Sequence, residues 1–297
     1  MQQSIFTLLN GFLSSRLNAK AAVFVNNAQN EIHSLVPDAR FTALISLASR
    51  YIPRQLLAPS LTESACAQTL LPGWSLQSWS LLETVRVSLI LSRSDLLQSD
   101  FAERYNQWFA YADEGELCAY YRAIAALPDP QRFAWRAAEG CRTNMKTVFL
   151  AVACDSPYPQ QYFDDVAWNQ LVVKALFIET PLARICGLDQ RLSTTLALTV
   201  LDYMDECNSA GRAIPVDAWL CLGSCADIRF DCAIDRALKS ATHSQRIAAV
   251  VALGRAQRVE TLQKLLDNIT DSRLTAIVRQ VLNGRVTQTD FQEFVSQ

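Results

Sequence analysis

The sequence predicts an all-α protein built of stacked helical hairpins, either a HEAT-like α-solenoid or a compact helical array. Three observations support this fold class. Only nine of the 297 residues are glycine and none are adjacent, whereas tight β-hairpins and phosphate-binding loops need more. Apolar residues recur at helical spacing, and capping sequences precede several of these stretches. No run of alternating polar and apolar residues indicates a strand.

Residues 1–115 are expected to form the N-terminal helices. Ser60 and Glu63 have the spacing of a capping box, which predicts a helix beginning after Ser60. The most apolar run, Val85 to Leu91, contains Arg86 and is too short to cross a bilayer. The N-terminus has no basic region followed by a continuous apolar region, so a signal peptide is not expected. We therefore expect a cytoplasmic protein that is not itself transmembrane.

The middle of the chain continues the helical pattern and carries the irregular loops. One helical face is expected to hold Leu117, Tyr120, Tyr121 and Ile124, with a stop at Leu127-Pro128. Three loops rich in turn-forming residues follow, at Asp155–Pro159, Glu179–Pro181 and Gly187–Arg191. Since no long linker interrupts the sequence, we expect a single continuous domain over residues 1–297.

Residues 225–297 are predicted to form HEAT-like C-terminal hairpins. Thr242 with Gln245, and Thr289 with Gln292, have capping-box spacing, and Asn283-Gly284 predicts a stop. A weak internal repeat supports stacking, because Gln131–Gly140 aligns with Gln245–Gly254. Small residues at such positions allow neighbouring helices to approach closely.

Charge and cysteine usage exclude several kinds of site. The net charge of −2 gives no reason to expect a nucleic-acid partner. The nine cysteines include no C-x-x-C pair and the chain has only two histidines, so no metal site is expected. Cys221 and Cys225 are spaced to hold a soft metal, but core packing is favoured. The motifs of nucleotide binding, serine hydrolysis and zinc proteolysis are missing, so we predict no catalytic residues and no cofactor.

One segment, Ser156–Trp219, contains the candidate binding residues. Its helix Asp165–Ile178 is apolar on nearly every face, which predicts burial, so Asn169 and Lys174 would each need a partner. Candidate carboxylates for Lys174 are Asp189, Asp202 and Glu206. Arginine side chains, whose guanidinium groups can donate two parallel hydrogen bonds to a carboxylate or phosphate, also lie near this helix in sequence: Arg142, Arg184, Arg191 and Arg212.

Two interpretations of this segment remain open. The charged residues can form an anion- or polyol-binding pocket, or a buried ion-pair network that only fixes loop geometry. Likewise, the aromatic residues Tyr158, Tyr162 and Trp168 can line a pocket or can be core residues at helix contacts.

The segment 140–220 resembles the EboA family. The similarity is carried by the stretches Ser156–Ile178, Pro181–Arg191, Leu201–Glu206 and Ala210–Trp219, and by the triplet Arg142-Thr-Asn144. The resemblance implies that the residues matched at Asn169, Lys174, Arg184, Asp189, Arg191 and Arg212 recur in the family, where they have no established roles.

The resemblance also implies a biological setting. EboA-like proteins are encoded in a bacterial gene cluster associated with making or exporting a small metabolite, together with a membrane-bound UbiA-like prenyltransferase and other enzymes. We therefore expect a non-catalytic accessory or scaffold protein whose partners are enzymes of that cluster. The alternative is a binder or unrecognised enzyme for a phosphorylated or polyhydroxylated metabolite, held in a pocket around Lys174.

Overall fold

The computed structural model describes residues 2–224, 227–240, 242–284 and 286–296. Over these ranges the chain forms seventeen α-helices and six 3-10 helices, and its one β-type pairing is an isolated bridge between Leu56 and Ser80. The all-α fold class is therefore confirmed. The chain divides into two compact units, Met1–Ala167 and Trp168–Gln297. The single continuous domain and the HEAT-like stacking stay predictions, and each unit is described by itself.

The first unit contains ten short helices joined by tight loops. They are α1 (Gln2–Ser14), α2 (Ala19–His33), α3 (Asp38–Leu47), α4 (Leu61–Leu70), α5 (Leu81–Leu91), α6 (Phe101–Trp108), α7 (Glu114–Ala123), α8 (Ala134–Cys141), α9 (Lys146–Ala153) and α10 (Tyr158–Tyr162). Helix α5 lies at the centre of this unit, in contact with α1, α2 and α7.

The apolar run predicted at Val85–Leu91 is buried inside the first unit. Every residue of α5 except Glu83 is buried, including Arg86, whose side chain is 1% exposed. Its Nε donates to the Ile45 carbonyl at 3.1 Å, and its Nη2 lies 3.5 Å from a carboxylate oxygen of Glu116. A buried guanidinium needs such partners, because removing it from water without them is costly. No helix in the described ranges is long and apolar enough to span a membrane.

The second unit begins within α11 (Asp165–Phe177) and contains α12 (Thr194–Ser209), α13 (Ile228–Leu238), α14 (His243–Arg255), α15 (Val259–Asn268), α16 (Ser272–Asn283) and α17 (Gln288–Ser296). Its core forms around α14, in which Ile247–Leu253 are all buried. Helix α14 packs against α13, α16 and the long 3-10 helix Val216–Ser224.

The capping boxes show how well local sequence marks helix starts. The predicted box at Ser60 and Glu63 is confirmed, with both reciprocal hydrogen bonds present. The box at Thr289 and Gln292 is wrong, because Thr287 and Asp290 form it two residues earlier. Asp at the third helical position can accept the same backbone hydrogen bond as Glu or Gln, so a pattern that requires Glu or Gln does not detect this box.

The box expected at Thr242 and Gln245 also needs correction. Thr242 does precede α14, but its side chain makes no capping hydrogen bond. The Gln245 side chain instead accepts a hydrogen bond from Trp219 and donates one to the Ile214 carbonyl. Gln245 thus bonds to Trp219 and Ile214, which are distant in sequence, instead of to the backbone of Thr242.

The two glycines that end the weak repeat both lie at close helix contacts. A Cβ on Gly140 would lie 2.6 Å from the Tyr121 ring and 2.8 Å from Val152, and one on Gly254 would collide with Val281. The repeat is only partial, because Gln131 lies in the 3-10 helix Pro130–Phe133 whereas Gln245 lies inside α14.

Most of the cysteines behave as small core residues, as predicted. Cys118, Cys141, Cys154, Cys207 and Cys221 are buried. Burial raises the pKa of Cys118 to about 11 and that of Cys221 to about 12, so both thiols stay protonated at neutral pH. Cys225, the other residue of the suggested soft-metal pair, lies outside the described residues.

Candidate functional site

Helix α11 carries three of the predicted site residues and is buried on one face only. Trp168, Leu171, Val172, Ala175 and Leu176 are buried, whereas Val166 and Phe177 are exposed. The expectation that this helix is buried all round is therefore wrong. Its outer face carries apolar residues that meet water, and periodicity alone cannot distinguish these from core residues.

Lys174 consequently reaches the surface rather than a buried partner. Its side chain is half-buried, and its ammonium lies 5.9 Å from the centre of the Phe177 ring. In the described part of the chain it forms no ion pair. Asn169, on the same helix, is also half-buried. A long side chain can cover apolar surface with its methylene groups while the charge stays in water.

Each carboxylate proposed as a partner of Lys174 pairs with an arginine instead. Asp202 pairs with Arg229 and Glu206 pairs with Arg212, both on the surface of the second unit. Asp189 pairs with Arg255, whose side chain is only 6% exposed. The expected link between Lys174 and these carboxylates is thus replaced by three arginine pairs.

Asp189 joins the loop Pro181–Arg191 to the C-terminal helices. Its Oδ1 accepts from Arg255 Nη2 at 2.7 Å, and its Oδ2 accepts from the backbone N–H of Gln288 at 3.1 Å. Arg255 also donates to the Val286 carbonyl at 2.9 Å. The carboxylate therefore links α14 and the start of α17 to the loop, which corresponds to the structural interpretation of the charged residues.

The same loop is held from two more directions. The side-chain amide of Gln288 donates to the carbonyls of Ala183 and Ile185, at 3.2 and 3.0 Å. The backbone N–H of Leu182 donates to Asp217 at 2.7 Å, and burial raises the pKa of that carboxyl group. Sequence reasoning missed Gln288 and Asp217, because both act on backbone groups far away in sequence, which no local pattern shows.

The predicted site aromatics are mainly core residues. Tyr158 is buried in the first unit, where its hydroxyl donates to the Pro130 carbonyl at 2.7 Å and its ring lies 4.9 Å from that of Tyr162. In the second unit, Trp168 is buried and the Arg191 guanidinium lies 4.7 Å from its ring centre. This distance is short enough for a cation–π contact.

The predicted arginines are distributed over both units. Arg142 belongs to the first unit and pairs with Glu139 on its surface. Arg184 lies half-buried in the 3-10 helix Leu182–Arg184, within the loop that contains Asp189. Arg212 follows α12, beyond Gly211, whose positive φ of 65° allows the chain to turn there.

Arg212 is the predicted site residue that lines a cavity. This cavity, the Arg212 pocket, has a volume of about 370 Å³ and lies in the second unit between the end of α12, α13 and the start of α14. Its lining residues include Asn208, Arg212, Trp219, Arg236, Thr242 and Gln245. Lys174, Asn169 and Asp189 do not line it.

The first unit contains a second, larger depression, the α2–α3 groove. Its volume is about 510 Å³, and residues of α2 and α3 form its two sides. Phe24 and Tyr51, two half-buried residues of its lining, stack with ring centres 4.3 Å apart and an angle of 5° between the planes. Lys20 lies 5.5 Å from the Tyr51 ring, and Arg40 and Glu31 form an ion pair at the rim.

Among the residues whose positions are described, no group of three or more His, Cys, Asp or Glu side chains is arranged to hold a metal ion. Two depressions among the described residues can bind another molecule, the Arg212 pocket and the α2–α3 groove. The Arg212 pocket is lined by two arginines, and the larger α2–α3 groove is lined by apolar residues together with Lys20, Glu31 and Arg40.

Comparison with known proteins gives one clear relationship. The family model described as "Metabolite traffic protein EboA" matches residues 5–223, which is more than two thirds of the chain. No curated protein and no solved structure matches the chain. The family match includes α2, α3, α11 and the loop around Asp189, and ends within the 3-10 helix Val216–Ser224. The chain therefore belongs to the EboA family.

Proposed function

We propose that this chain is a non-catalytic accessory protein of a small-metabolite biosynthesis or export pathway, and that it acts through protein–protein contacts. An accessory role in metabolite handling fits the description of its family as metabolite traffic proteins. The observation that carries the proposal is the α2–α3 groove, a depression of about 510 Å³ on the first unit whose lining is mainly apolar.

The spacing of the residues that line the groove favours a helix as its occupant. Helix α2 contributes Lys20, Val23, Phe24, Asn27, Ala28 and Glu31, and the opposite side contributes Arg40, Leu44, Leu47 and Tyr51. Steps of three and four residues place the first set on one face of α2, and Arg40, Leu44 and Leu47 on one face of α3, with Tyr51 beyond the end of that helix. Two such faces bordering one slot present the ridges and grooves against which a further helix packs.

The exposure and charge of the groove define the partner helix more closely. Val23 is 59% exposed, so an apolar face is available to cover it. The Lys20 ammonium forms no ion pair within the described residues and would attract an acidic side chain. The partner segment is thus an amphipathic helix with an apolar stripe and an acidic residue opposite Lys20.

We propose that this helix belongs to an enzyme of the same gene cluster, with the membrane-bound UbiA-like prenyltransferase as the first candidate. The accessory protein would act from the cytoplasm in that case. A helix of the enzyme that faces the cytoplasm would enter the groove.

Site-specific photo-crosslinking tests this proposal. A photoreactive phenylalanine analogue is placed at Asn27 in the groove and, as a control, at Gln263 on the exposed face of α15, in cells that express the whole cluster. We expect Asn27 alone to cross-link an enzyme of the cluster, through an amphipathic helix identified by mass spectrometry. Cross-links only to a second copy of the chain, or equal yields at both positions, would refute the proposed contact.

A further inference from the structure

We infer that the second unit also binds a small metabolite carrying a phosphate or carboxylate group, in the Arg212 pocket, with Arg236 holding the anion. This site is independent of the protein contact proposed above, since the groove belongs to the first unit. It also differs from the site expected around Lys174, because its residues come from the end of α12, α13, the 3-10 helix Val216–Ser224 and the start of α14.

The size and floor of the pocket suit a compact organic molecule. A volume of about 370 Å³ lies within the range of small-molecule sites. Trp219 is almost fully buried and forms part of the lining together with Ala233 and Ala237. These side chains provide an apolar surface against which a carbon skeleton can pack.

Two polar side chains of the pocket, Trp219 and Gln245, are held in defined orientations. Trp219 Nε1 donates to Gln245 Oε1 at 2.9 Å, and Gln245 Nε2 donates to the Ile214 carbonyl at 2.8 Å. These two bonds fix the Gln245 amide and the indole ring before any ligand arrives. A wall fixed in advance loses little conformational entropy when a ligand binds.

The guanidinium groups of Arg212 and Arg236 differ in how free they are to bind an anion. Arg212 donates to Glu206 at 2.8 Å, so part of its charge is already neutralised. Arg236, in the last turn of α13, forms no ion pair or hydrogen bond with any residue of the described ranges. Its planar fork can therefore bind two oxygens of a phosphate or carboxylate at once.

The remaining lining groups indicate what else the ligand carries. Asn208 and Thr242 add an amide and a hydroxyl to the rim, which can bind hydroxyl groups. The chemical class is thus a small oxyanion with a short carbon skeleton and one or more hydroxyls. Phenyl phosphate is a simple probe of the class, because it combines a phosphate with a flat apolar part.

Isothermal titration calorimetry of the full chain with phenyl phosphate tests the inference. We expect saturable one-site binding, with inorganic phosphate and phenol each binding at least tenfold more weakly. Arg236→Gln should weaken phenyl phosphate binding at least tenfold. Arg236→Lys keeps the positive charge at the end of α13 but lacks the fork, and should weaken binding less.

Arg279→Gln is the matched control, since Arg279 is an exposed arginine of the second unit outside the pocket. It should bind phenyl phosphate as the unmodified chain does. Ala233→Met narrows the apolar part of the pocket and should reduce phenyl phosphate binding more than inorganic phosphate binding. Circular dichroism establishes that each variant is folded.

Equal losses of phenyl phosphate affinity in Arg236→Gln and Arg279→Gln would overturn the inference, because they would show that only the total charge of the protein matters. Binding of phenyl phosphate that is no stronger than that of inorganic phosphate would also overturn it. Neither result affects the protein contact, since the cross-link at Asn27 uses the other unit. Conversely, loss of that cross-link would leave the phenyl phosphate titration unchanged.

Discussion

Asp189 and Arg255 form an ion pair in the second unit, with 2.7 Å between the carboxylate oxygen Oδ1 and the guanidinium nitrogen Nη2. The pair joins residues 66 positions apart in sequence, and the second carboxylate oxygen also accepts the backbone N–H of Gln288. Asp189 therefore has no oxygen left without a partner, and its two hydrogen-bonded oxygens connect the loop Pro181–Arg191 to α14 and to the start of α17.

Replacing Asp189 should loosen this junction. We expect Asp189→Asn to destabilise the second unit by about 1–3 kcal/mol, because it removes a charged hydrogen-bond acceptor from the nearly buried Arg255. The amide of Gln288 should exchange its hydrogen faster, which hydrogen-exchange mass spectrometry measures. Asp267→Asn, at an exposed position of α15, should change neither quantity. Equal exchange in both variants would contradict the structural role.

The close helix contact at Gly140 predicts opposite effects for two identical substitutions. Gly140→Ala should destabilise the first unit by about 1–3 kcal/mol, because the new methyl group would meet the Tyr121 ring. Gly11→Ala, inside α1 with nothing within 4 Å of the new Cβ, should stabilise it by about 0.5–1 kcal/mol. Urea denaturation of both variants tests this pair, and changes of the same sign would refute it.

The capping box of α4 should make stability depend on pH. Arg16 donates to both Glu63 oxygens, at 2.8 and 2.7 Å, and this pair lowers the pKa of Glu63 from 4.5 to about 2. The stabilisation is therefore fully present above pH 4.5 and is lost as the pH falls towards 2. The stability difference between the unmodified chain and Glu63→Gln should be largest at pH 7 and should narrow at pH 3. Thermal denaturation at both values measures it, and a constant difference would contradict the pairing.

A substitution at Lys174 distinguishes the binding site that the sequence predicted around this residue from the Arg212 pocket. Its ammonium contacts the Phe177 ring at the surface, so Lys174→Met should change the free energy of unfolding by less than about 0.5 kcal/mol. The same variant should bind phenyl phosphate as tightly as the unmodified chain. A large loss of binding with the fold intact would restore Lys174 as a ligand-binding residue.

Local signals in the sequence predict much of the fold. The box at Ser60 and Glu63 and the stop at Asn283 are read from a few neighbouring residues, and both agree with the structure. The buried cysteines follow from the apolar context around each one. These features depend on backbone hydrogen bonds and periodicity that a short stretch of chain determines by itself.

The candidate site depends on contacts that no local pattern contains. Asp189 meets Arg255, and Trp219 meets Gln245, across large separations in sequence. Arg212 was found through its family segment, whereas Arg236 belongs to no motif and is recognised only because the fold brings it to the same cavity. The apolar outer residues of α11 misled the prediction for Lys174, since periodicity does not say which apolar residues are exposed.

The central claim is that the chain works by binding a partner protein in the α2–α3 groove. Native mass spectrometry of the chain, gently purified from cells that express the whole cluster, tests it most directly. We expect a stoichiometric complex with one enzyme of the cluster. This complex should be lost in Val23→Glu, because the substitution puts a carboxylate on the exposed apolar face beside Lys20. It should be kept in the control variant Val166→Glu, since Val166 is similarly exposed but lies outside the groove. Purification of the unmodified chain without any partner, or a complex that survives Val23→Glu, would contradict the account.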